Sequence, residues 1–131
     1  MTIDILICTI DKGITRVEEV LLPPEPGVRY VVSYQYTDER FLELIPQQLL
    51  RRSDVALYKL EGRGLSANRN AALERAKGDI VVFADDDARF GADSLASIRQ
   101  IFQDHPTLDV ALYRATTYTG KLLKNYPDHE Q

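Results

Sequence analysis

The sequence predicts an α/β fold with an open, mostly parallel sheet and helices on both faces of that sheet. Five short runs of β-branched and aliphatic residues have the character of strands, and they begin at residues 3, 28, 54, 79 and 108. These starts are too far apart for hairpins, whereas parallel strands need a crossover of a dozen or more residues, usually a helix. The runs are nearly continuous in apolar residues, as strands covered on both faces must be.

The five predicted strands span residues 3–9, 28–34, 54–60, 79–84 and 108–114. In the first crossover, residues 16–22 leave room for two helical turns before a proline-rich breaker at residues 23–27. The second crossover, residues 39–50, is predicted to be helical and to be interrupted or kinked at Pro46.

The third and fourth crossovers give clearer helix signals. Residues 66–77 form an Ala-rich stretch that is predicted to begin with Ser66 as its N-cap and to stop at Gly78. Apolar residues at helical spacing predict a further amphipathic helix over residues 92–103, which ends before Pro106.

Length and charge limit the organisation of the protein. With 131 residues, 44% of them hydrophobic and 27% charged, the chain is expected to form a single domain over residues 1–131. Residues 115–131 are expected to be a poorly structured or extended tail. Sixteen Lys and Arg against twenty Asp and Glu give a net charge of −4, which argues against a nucleic-acid partner held by bulk charge.

The single cysteine and the apolar runs indicate where in the cell the protein is located. Cys8 is the only cysteine, so no internal disulfide is possible and a reducing compartment is expected. The first apolar run is too short and too charged for a signal peptide or a membrane span. The sequence therefore predicts a cytoplasmic protein, and it leaves peripheral docking on a membrane open.

Three adjacent carboxylates, Asp85, Asp86 and Asp87, directly follow the fourth predicted strand. Like charges about 5 Å apart repel by roughly 3 kcal/mol per pair at an effective dielectric constant of 20, so crowded carboxylates commonly share a cation or a proton. All-oxygen ligands favour Mg²⁺ or Mn²⁺. The alternative is that these residues cap the next helix, but Asp93 is also available for that role, which leaves capping an incomplete explanation.

The segment from Gly64 to the aspartate triplet resembles family 2 glycosyltransferases of the GT-A fold. The resemblance rests on Gly64-Leu65-Ser66-Ala67-Asn68-Arg69-Asn70-Ala71-Ala72-Leu73, then on Ala76, Gly78 and Asp79, and then on the triplet as a DxD motif. Residues 5–11 are similar to the opening strand of that family, with Asp11 where Asn is usual. The resemblance implies a Rossmann-like sheet of the nucleotide-diphospho-sugar transferase type.

The resemblance also implies the chemistry and its residues. A nucleotide-diphosphate sugar would be held through Mn²⁺ or Mg²⁺, and its sugar transferred to a hydroxyl of a glycan or lipid-linked glycan in bacterial-type polysaccharide or glycoconjugate synthesis. The residues implied for the donor nucleotide are Thr9, Asp11, Ser33, Gln35, Arg69, Asp85 and Asp86, with Asp86 on the ribose, and those implied for the metal are Asp85 and Asp87. The second strand of that family usually ends in an acidic pair followed by Gly-Ser-Thr-Asp, and here only Thr37 and Asp38 match this ending. Ser33 and Gln35 are expected to hydrogen-bond the base instead, so UDP is favoured less firmly than nucleotide sugars as a class.

Several alternatives stay open. The acceptor half of such an enzyme is missing, so the chain is expected to be truncated and catalytically incomplete, with no catalytic base identified. The alternative hypothesis is that the chain is a non-catalytic nucleotide-binding or regulatory module of the same fold. A nucleotidyltransferase or a receiver domain fits less well, because residues 9–15 lack a Gly-rich loop and the acidic cluster follows a late strand. The sugar, the acceptor, the stereochemical outcome and the oligomeric state are not specified.

Overall fold

The computed structural model describes residues 2–91 and 93–105, and within them it forms one four-stranded parallel sheet. The strands are β1 (Ile3–Ile10), β2 (Val28–Tyr36), β3 (Val55–Glu61) and β4 (Ile80–Asp85), in the order β3-β2-β1-β4. The first four predicted strands are confirmed to within two residues at each end. The predicted fifth strand, 108–114, and the predicted tail, 115–131, lie outside the described residues.

The connections combine short 3₁₀ segments with α-helices. The elements are a first 3₁₀ segment (Asp11–Glu19), a second 3₁₀ segment (Glu39–Leu44), α1 (Gln47–Arg51), α2 (Leu65–Glu74) and α3 (Ser94–Asp104). The predicted helix over residues 16–22 is corrected in type and position, because the 3₁₀ segment begins at Asp11, directly after β1, and ends at Glu19. The predicted interruption at Pro46 is confirmed, since that residue separates the second 3₁₀ segment from α1.

The predicted ends of α2 need two corrections. Ser66 is not the N-cap, because Gly64 occupies that position and adopts a positive φ of 120°. The helix ends at Glu74, four residues before Gly78. Gly78 serves close packing instead, since a Cβ on it would lie 2.9 Å from the backbone nitrogen of Asp4 in β1.

The core lies on the two faces of β1 and β2. On one face α2 covers the sheet, where Leu6, Val31 and Ala72 form a buried cluster. The first 3₁₀ segment contacts β1 and β2 and buries Ile14 and Val17. The expected helical elements on both faces of the sheet are therefore present. Strand β4 is less covered on the α2 side, because Val81 and Phe83 keep 36% and 48% of their surface exposed.

The chain divides after Ala88 into two compact units. The first contains the whole sheet, and the second contains α3, in which Leu95 and Ile98 are buried. None of the helices in the described part of the chain has the length and apolarity that crossing a membrane requires.

A buried carboxylate joins three segments at the amino ends of the strands. Asp4 in β1 is only 3% exposed and accepts hydrogen bonds from Arg29 Nη2 at 2.8 Å and from the backbone N–H groups of Lys77 and Gly78 at 2.7 and 3.0 Å. Burial by itself raises the pKa of Asp4, but these hydrogen bonds and the charge of Arg29 outweigh it, so the pKa lies below its usual value. Asp4 therefore holds β2 and the α2–β4 connection against β1.

We expect Asp4→Asn to lower the free energy of unfolding by about 3 kcal/mol at pH 7, because it leaves the guanidinium of Arg29 without its carboxylate partner. The pKa of Asp4 is lowered in the folded state, so its contribution is complete above the unfolded value of 3.8 and is lost as the pH falls through the lower folded value. Urea titrations of both proteins from pH 7 to pH 2 should show the difference shrinking in that window.

The exposed pair of Asp38 and Arg40 supplies a matched control. Asp38→Asn removes the same charge at the surface and should change the unfolding free energy little at pH 7. Equal effects of Asp4→Asn and Asp38→Asn would contradict a structural role for the buried carboxylate.

Candidate functional site

A cavity of about 350 Å³ lies where β1, β2 and β4 end. Parallel pairing brings the carboxyl ends of these strands to one edge of the sheet, which is where open α/β sheets bind ligands. The residues that line the cavity are Cys8, Thr9, Ile10, Gln35, Gly64, Leu65, Asn68, Asp85, Asp86 and Asp87. Five residues predicted from the sequence are therefore brought together here, namely Thr9, Gln35 and the three aspartates.

The three aspartates occupy different surroundings. Asp85 ends β4 and, like Asp87, is exposed to solvent. Asp86 is largely covered, with 15% of its side chain exposed. Its Oδ2 accepts a hydrogen bond from Thr9 Oγ1 at 2.7 Å, and its Oδ1 accepts one from Arg16 Nη2 at 2.8 Å. The middle carboxylate is thus tied to β1 and to the first 3₁₀ segment.

The beginning of α2 forms another wall of the cavity. Its N-cap is Gly64, so no side chain caps the helix, and the amino end with its partial positive charge lies at the cavity. Gln35 Nε2 donates a hydrogen bond to the carbonyl oxygen of Gly64 at 3.0 Å and holds this turn against β2. An anionic group in the cavity would therefore be attracted by the helix end and repelled by the carboxylates.

Asn68 is a lining residue that the sequence analysis did not assign to the site. It is 2% exposed, and its Nδ2 donates to the carbonyl oxygen of Thr9 at 3.2 Å. This bond orients the amide, and its Oδ1 is the buried side-chain atom without a hydrogen-bond partner in the described part of the chain. The available signal was an asparagine, which is a poor helix former, inside an otherwise Ala-rich helix.

Three predicted residues do not line the cavity. The carboxylate of Asp11 accepts hydrogen bonds from the backbone N–H and from Oγ1 of Thr37, both at 2.8 Å, and so joins the ends of β1 and β2. Asp11 has a φ of +50°, which aspartate tolerates better than most residues. Ser33 is buried within β2, and Arg69 lies exposed on α2. Their predicted contacts with the nucleotide stay predictions.

Cys8 reports on the electrostatics of the cavity. Burial raises the pKa of its thiol, the charge of Arg69 lowers it, and the charge of Asp85 raises it, with a net increase. The charges of Arg69 and Asp85 therefore both act on the thiol of Cys8. The thiol itself is expected to be a poor nucleophile at neutral pH, because the thiolate is the reactive form.

A second cavity, of about 490 Å³, lies at the opposite, amino-terminal edge of the sheet. Both acidic residues of its lining are already in ion pairs, Asp4 with Arg29 and Asp54 with Arg52. We therefore place the candidate site at the carboxyl edge, where exposed carboxylates, a helix amino end and an unpartnered amide oxygen meet around one cavity.

No described group of three or more His, Cys, Asp or Glu side chains, within residues 2–91 and 93–105, is arranged to hold a metal ion. Asp85 and Asp87 nevertheless match a common pattern for Mg²⁺, which is bound by one or two carboxylates and completed by phosphate oxygens and water. The residues present therefore fit a cation that arrives together with a phosphorylated ligand.

Comparisons with known proteins identify a family and a fold. The model of glycosyl transferase family 2 matches residues 25–130, which is more than half of the chain. No curated protein sequence matches. Similar solved structures are those of S. aureus TarS 1-349 (TM-score 0.72, 19% identity), of S. aureus TarS (0.68, 20%) and of S. aureus TarS 1-349 in complex with UDP-GlcNAc (0.65, 18%). These likenesses confirm the predicted open parallel sheet of the GT-A type.

The extent of these matches is unequal. Each of the three matches to a TarS structure covers 95% of this chain. The chain spans only 39%, 23% and 37% of the three TarS chains, respectively. The match to the family favours a glycosyltransferase over the nucleotidyltransferase and receiver alternatives.

Alkylation of Cys8 gives a direct test of the electrostatics in the cavity. We expect Cys8 to react with iodoacetamide at pH 8 more slowly than a free thiol does, because its pKa is raised. Asp85→Asn should speed the reaction by lowering that pKa, and Arg69→Gln should slow it by raising the pKa further. The measurement is the pseudo-first-order rate followed by mass spectrometry.

Asp38→Asn serves as the control, because it removes one negative charge outside the cavity lining. Its rate should equal that of the wild-type protein. Rates that respond alike to Asp38→Asn and Asp85→Asn would rule out a local effect of Asp85 on the thiol.

Proposed function

The chain belongs to glycosyl transferase family 2, and from this premise we propose that residues 1–131 bind the nucleotide-sugar donor of a glycosyltransferase. The donor is a nucleotide-diphosphate sugar, with a UDP-sugar favoured. The acceptor is a hydroxyl group of a glycan or a lipid-linked glycan, in polysaccharide or glycoconjugate synthesis.

The cavity at the carboxyl edge of the sheet is the observation that carries this proposal. It has room for part of a nucleotide, and one wall is the uncapped amino end of α2, which suits a phosphate group. The lining also includes Asp85 and Asp87, which would repel the same phosphates in the absence of a cation. A diphosphate bound together with a divalent cation would interact favourably with both the helix end and the carboxylates.

We assign the cation to Asp85 and Asp87, with Mn²⁺ or Mg²⁺ as the ion. Both side chains are exposed, and hard oxygen ligands prefer these ions. Such an ion would stabilise the negative charge of a departing diphosphate. Two carboxylates are too few to hold the ion tightly, so Mn²⁺ and the nucleotide are expected to bind together much better than either binds alone.

The nucleoside is proposed to lie toward Gln35, Leu65 and Asn68, on the side of the cavity away from the acidic triplet. Leu65 is 54% exposed, and such an apolar side chain can cover a flat base. The unpartnered Oδ1 of Asn68 suits an N–H or O–H group of the nucleoside. UDP is the appropriate first probe, because a protein of similar fold was crystallised with UDP-GlcNAc.

Calorimetric titration of UDP tests the donor site. We expect UDP to bind the wild-type protein in the presence of Mn²⁺ and to bind far more weakly with EDTA. Asp87→Asn should weaken Mn²⁺-dependent binding by at least about tenfold, because loss of a ligand is expected to cost no less than loss of a residue that supports one.

The matched control is Asp79→Asn, which removes a carboxylate directly before β4, at the end of that strand opposite to the acidic triplet. It should leave UDP affinity unchanged. Equal UDP affinity of wild type and Asp87→Asn, or binding by neither with any cation, would overturn the donor-site proposal.

Substitution of Asn68 tests the nucleoside end of the site. We expect Asn68→Ala to weaken Mn²⁺-dependent UDP binding by about three- to tenfold, the value of one neutral hydrogen bond. Pyrophosphate carries no nucleoside, so its Mn²⁺-dependent affinity should not change in this variant. An unchanged UDP affinity would mean that no group of the nucleotide reaches the amide oxygen of Asn68.

A further inference from the structure

The middle aspartate of the acidic triplet has a role that its neighbours do not share. We propose that Asp86 is a positioning residue, which binds neither the metal nor the nucleotide but holds the end of β4 so that Asp85 and Asp87 stay at the cavity. This inference rests on the proposed donor site, adds Arg16 and Gly13 to the residues on which that site depends, and gives Thr9 a structural role there. It also replaces the predicted contact between Asp86 and ribose.

The hydrogen bonds of Asp86 point away from a ligand role. Each of its carboxylate oxygens already accepts one bond from the protein, Oδ2 from Thr9 and Oδ1 from Arg16. Thr9 is itself buried at 3% exposure in β1, so this end of the link cannot move without disturbing the central strand. A ligand at Asp86 would find one acceptor position of each oxygen already taken, by a charge-assisted bond on Oδ1 and by a bond from a buried hydroxyl on Oδ2.

Close packing at Gly13 keeps Asp86 in this position. A Cβ on Gly13 would overlap Asp86 Oδ2 and would lie 2.5 Å from Thr9 Oγ1. Gly13 is buried, and its φ is not in the left-handed region, so the missing side chain provides space rather than backbone freedom. The first 3₁₀ segment therefore fits directly against the bond between Thr9 and Asp86.

The pairing with Arg16 also adjusts the charge of the triplet. The guanidinium balances the carboxylate of Asp86, which leaves Asp85 and Asp87 as the exposed negative charges of the triplet at the cavity. Two negative charges match one divalent cation. Three uncompensated carboxylates would repel one another and the incoming diphosphate more strongly.

A double-mutant cycle on Asp86 and Arg16 tests the proposal. The variants are Asp86→Asn, Arg16→Gln and the double variant, and the readout is the Mn²⁺-dependent affinity for UDP, with bound Mn²⁺ measured by electron paramagnetic resonance. Each single variant should lose about tenfold in affinity, as is typical when support for a metal ligand is removed. The double variant should lose no more than either single variant, because both break the same link.

A ligand role for Asp86 predicts a different outcome. In that case Asp86→Asn weakens binding, whereas Arg16→Gln releases the carboxylate and leaves the affinity unchanged or higher. If Arg16 instead contacts the diphosphate itself, the losses in the two single variants add in the double variant. Either of these results overturns the proposal.

Two further variants separate positioning from general loss of structure. Arg16→Lys keeps a positive charge within reach of Asp86 and should recover most of the affinity that Arg16→Gln loses. Gly13→Ala keeps every charge but displaces the carboxylate, and it should lower the Mn²⁺-dependent affinity in a protein whose circular dichroism spectrum is unchanged. No rescue by Arg16→Lys, together with wild-type affinity in a folded Gly13→Ala protein, overturns the proposal.

UDP binding by the wild-type protein distinguishes a failure of the proposed function from a failure of the positioning role alone. Absence of Mn²⁺-dependent UDP binding in the wild type overturns the proposed function, and the positioning role falls with it. Wild-type binding that Arg16→Gln and Gly13→Ala both leave intact overturns the positioning role alone.

Discussion

The parallel pairing of β1 with β2 on one side and β4 on the other is the constraint on which the rest of the structure depends. Because all three strands run in the same direction, their carboxyl ends lie at one edge, and this edge contains the cavity. Cys8 is opposite both Ser33 and Asp85 in the sheet, so positions more than twenty residues apart in the chain become neighbours. The register of β1 thus decides which side chains reach the cavity.

The carboxylates at the two edges of the sheet have different surroundings. At the amino edge, Asp4 is buried and saturated with donors, which lowers its pKa and makes it part of the framework. At the carboxyl edge, Asp85 and Asp87 are left exposed. A carboxylate with its bonds satisfied contributes to folding, whereas an exposed one can gain a ligand at little cost in stability. The framework and the proposed donor site are therefore chemically separate, although both are built from aspartates.

The cavity brings together groups that differ in the ligand chemistry they favour. An uncapped helix end favours an anion, and two carboxylates favour a cation. The buried oxygen of Asn68 requires a donor. A metal-bound nucleotide diphosphate answers all three requirements with one molecule, which is why the geometry supports the donor role and why binding of the metal and the nucleotide should be coupled.

The sequence by itself determined the fold class, the first four strands and the acidic triplet, because apolar runs at regular spacing and turn residues act locally. It also indicated the family, through a segment of the chain that is contiguous from Gly64 to Asp87. Only the tertiary structure decided the role of individual polar residues. Asp85, Asp86 and Asp87 are chemically identical in the sequence, yet Asp86 alone meets Thr9 and Arg16, which are seventy or more residues away. Likewise, Gly78 ends no helix and Asn68 faces the cavity, since contacts across the sheet, and not the local pattern, set what surrounds each side chain.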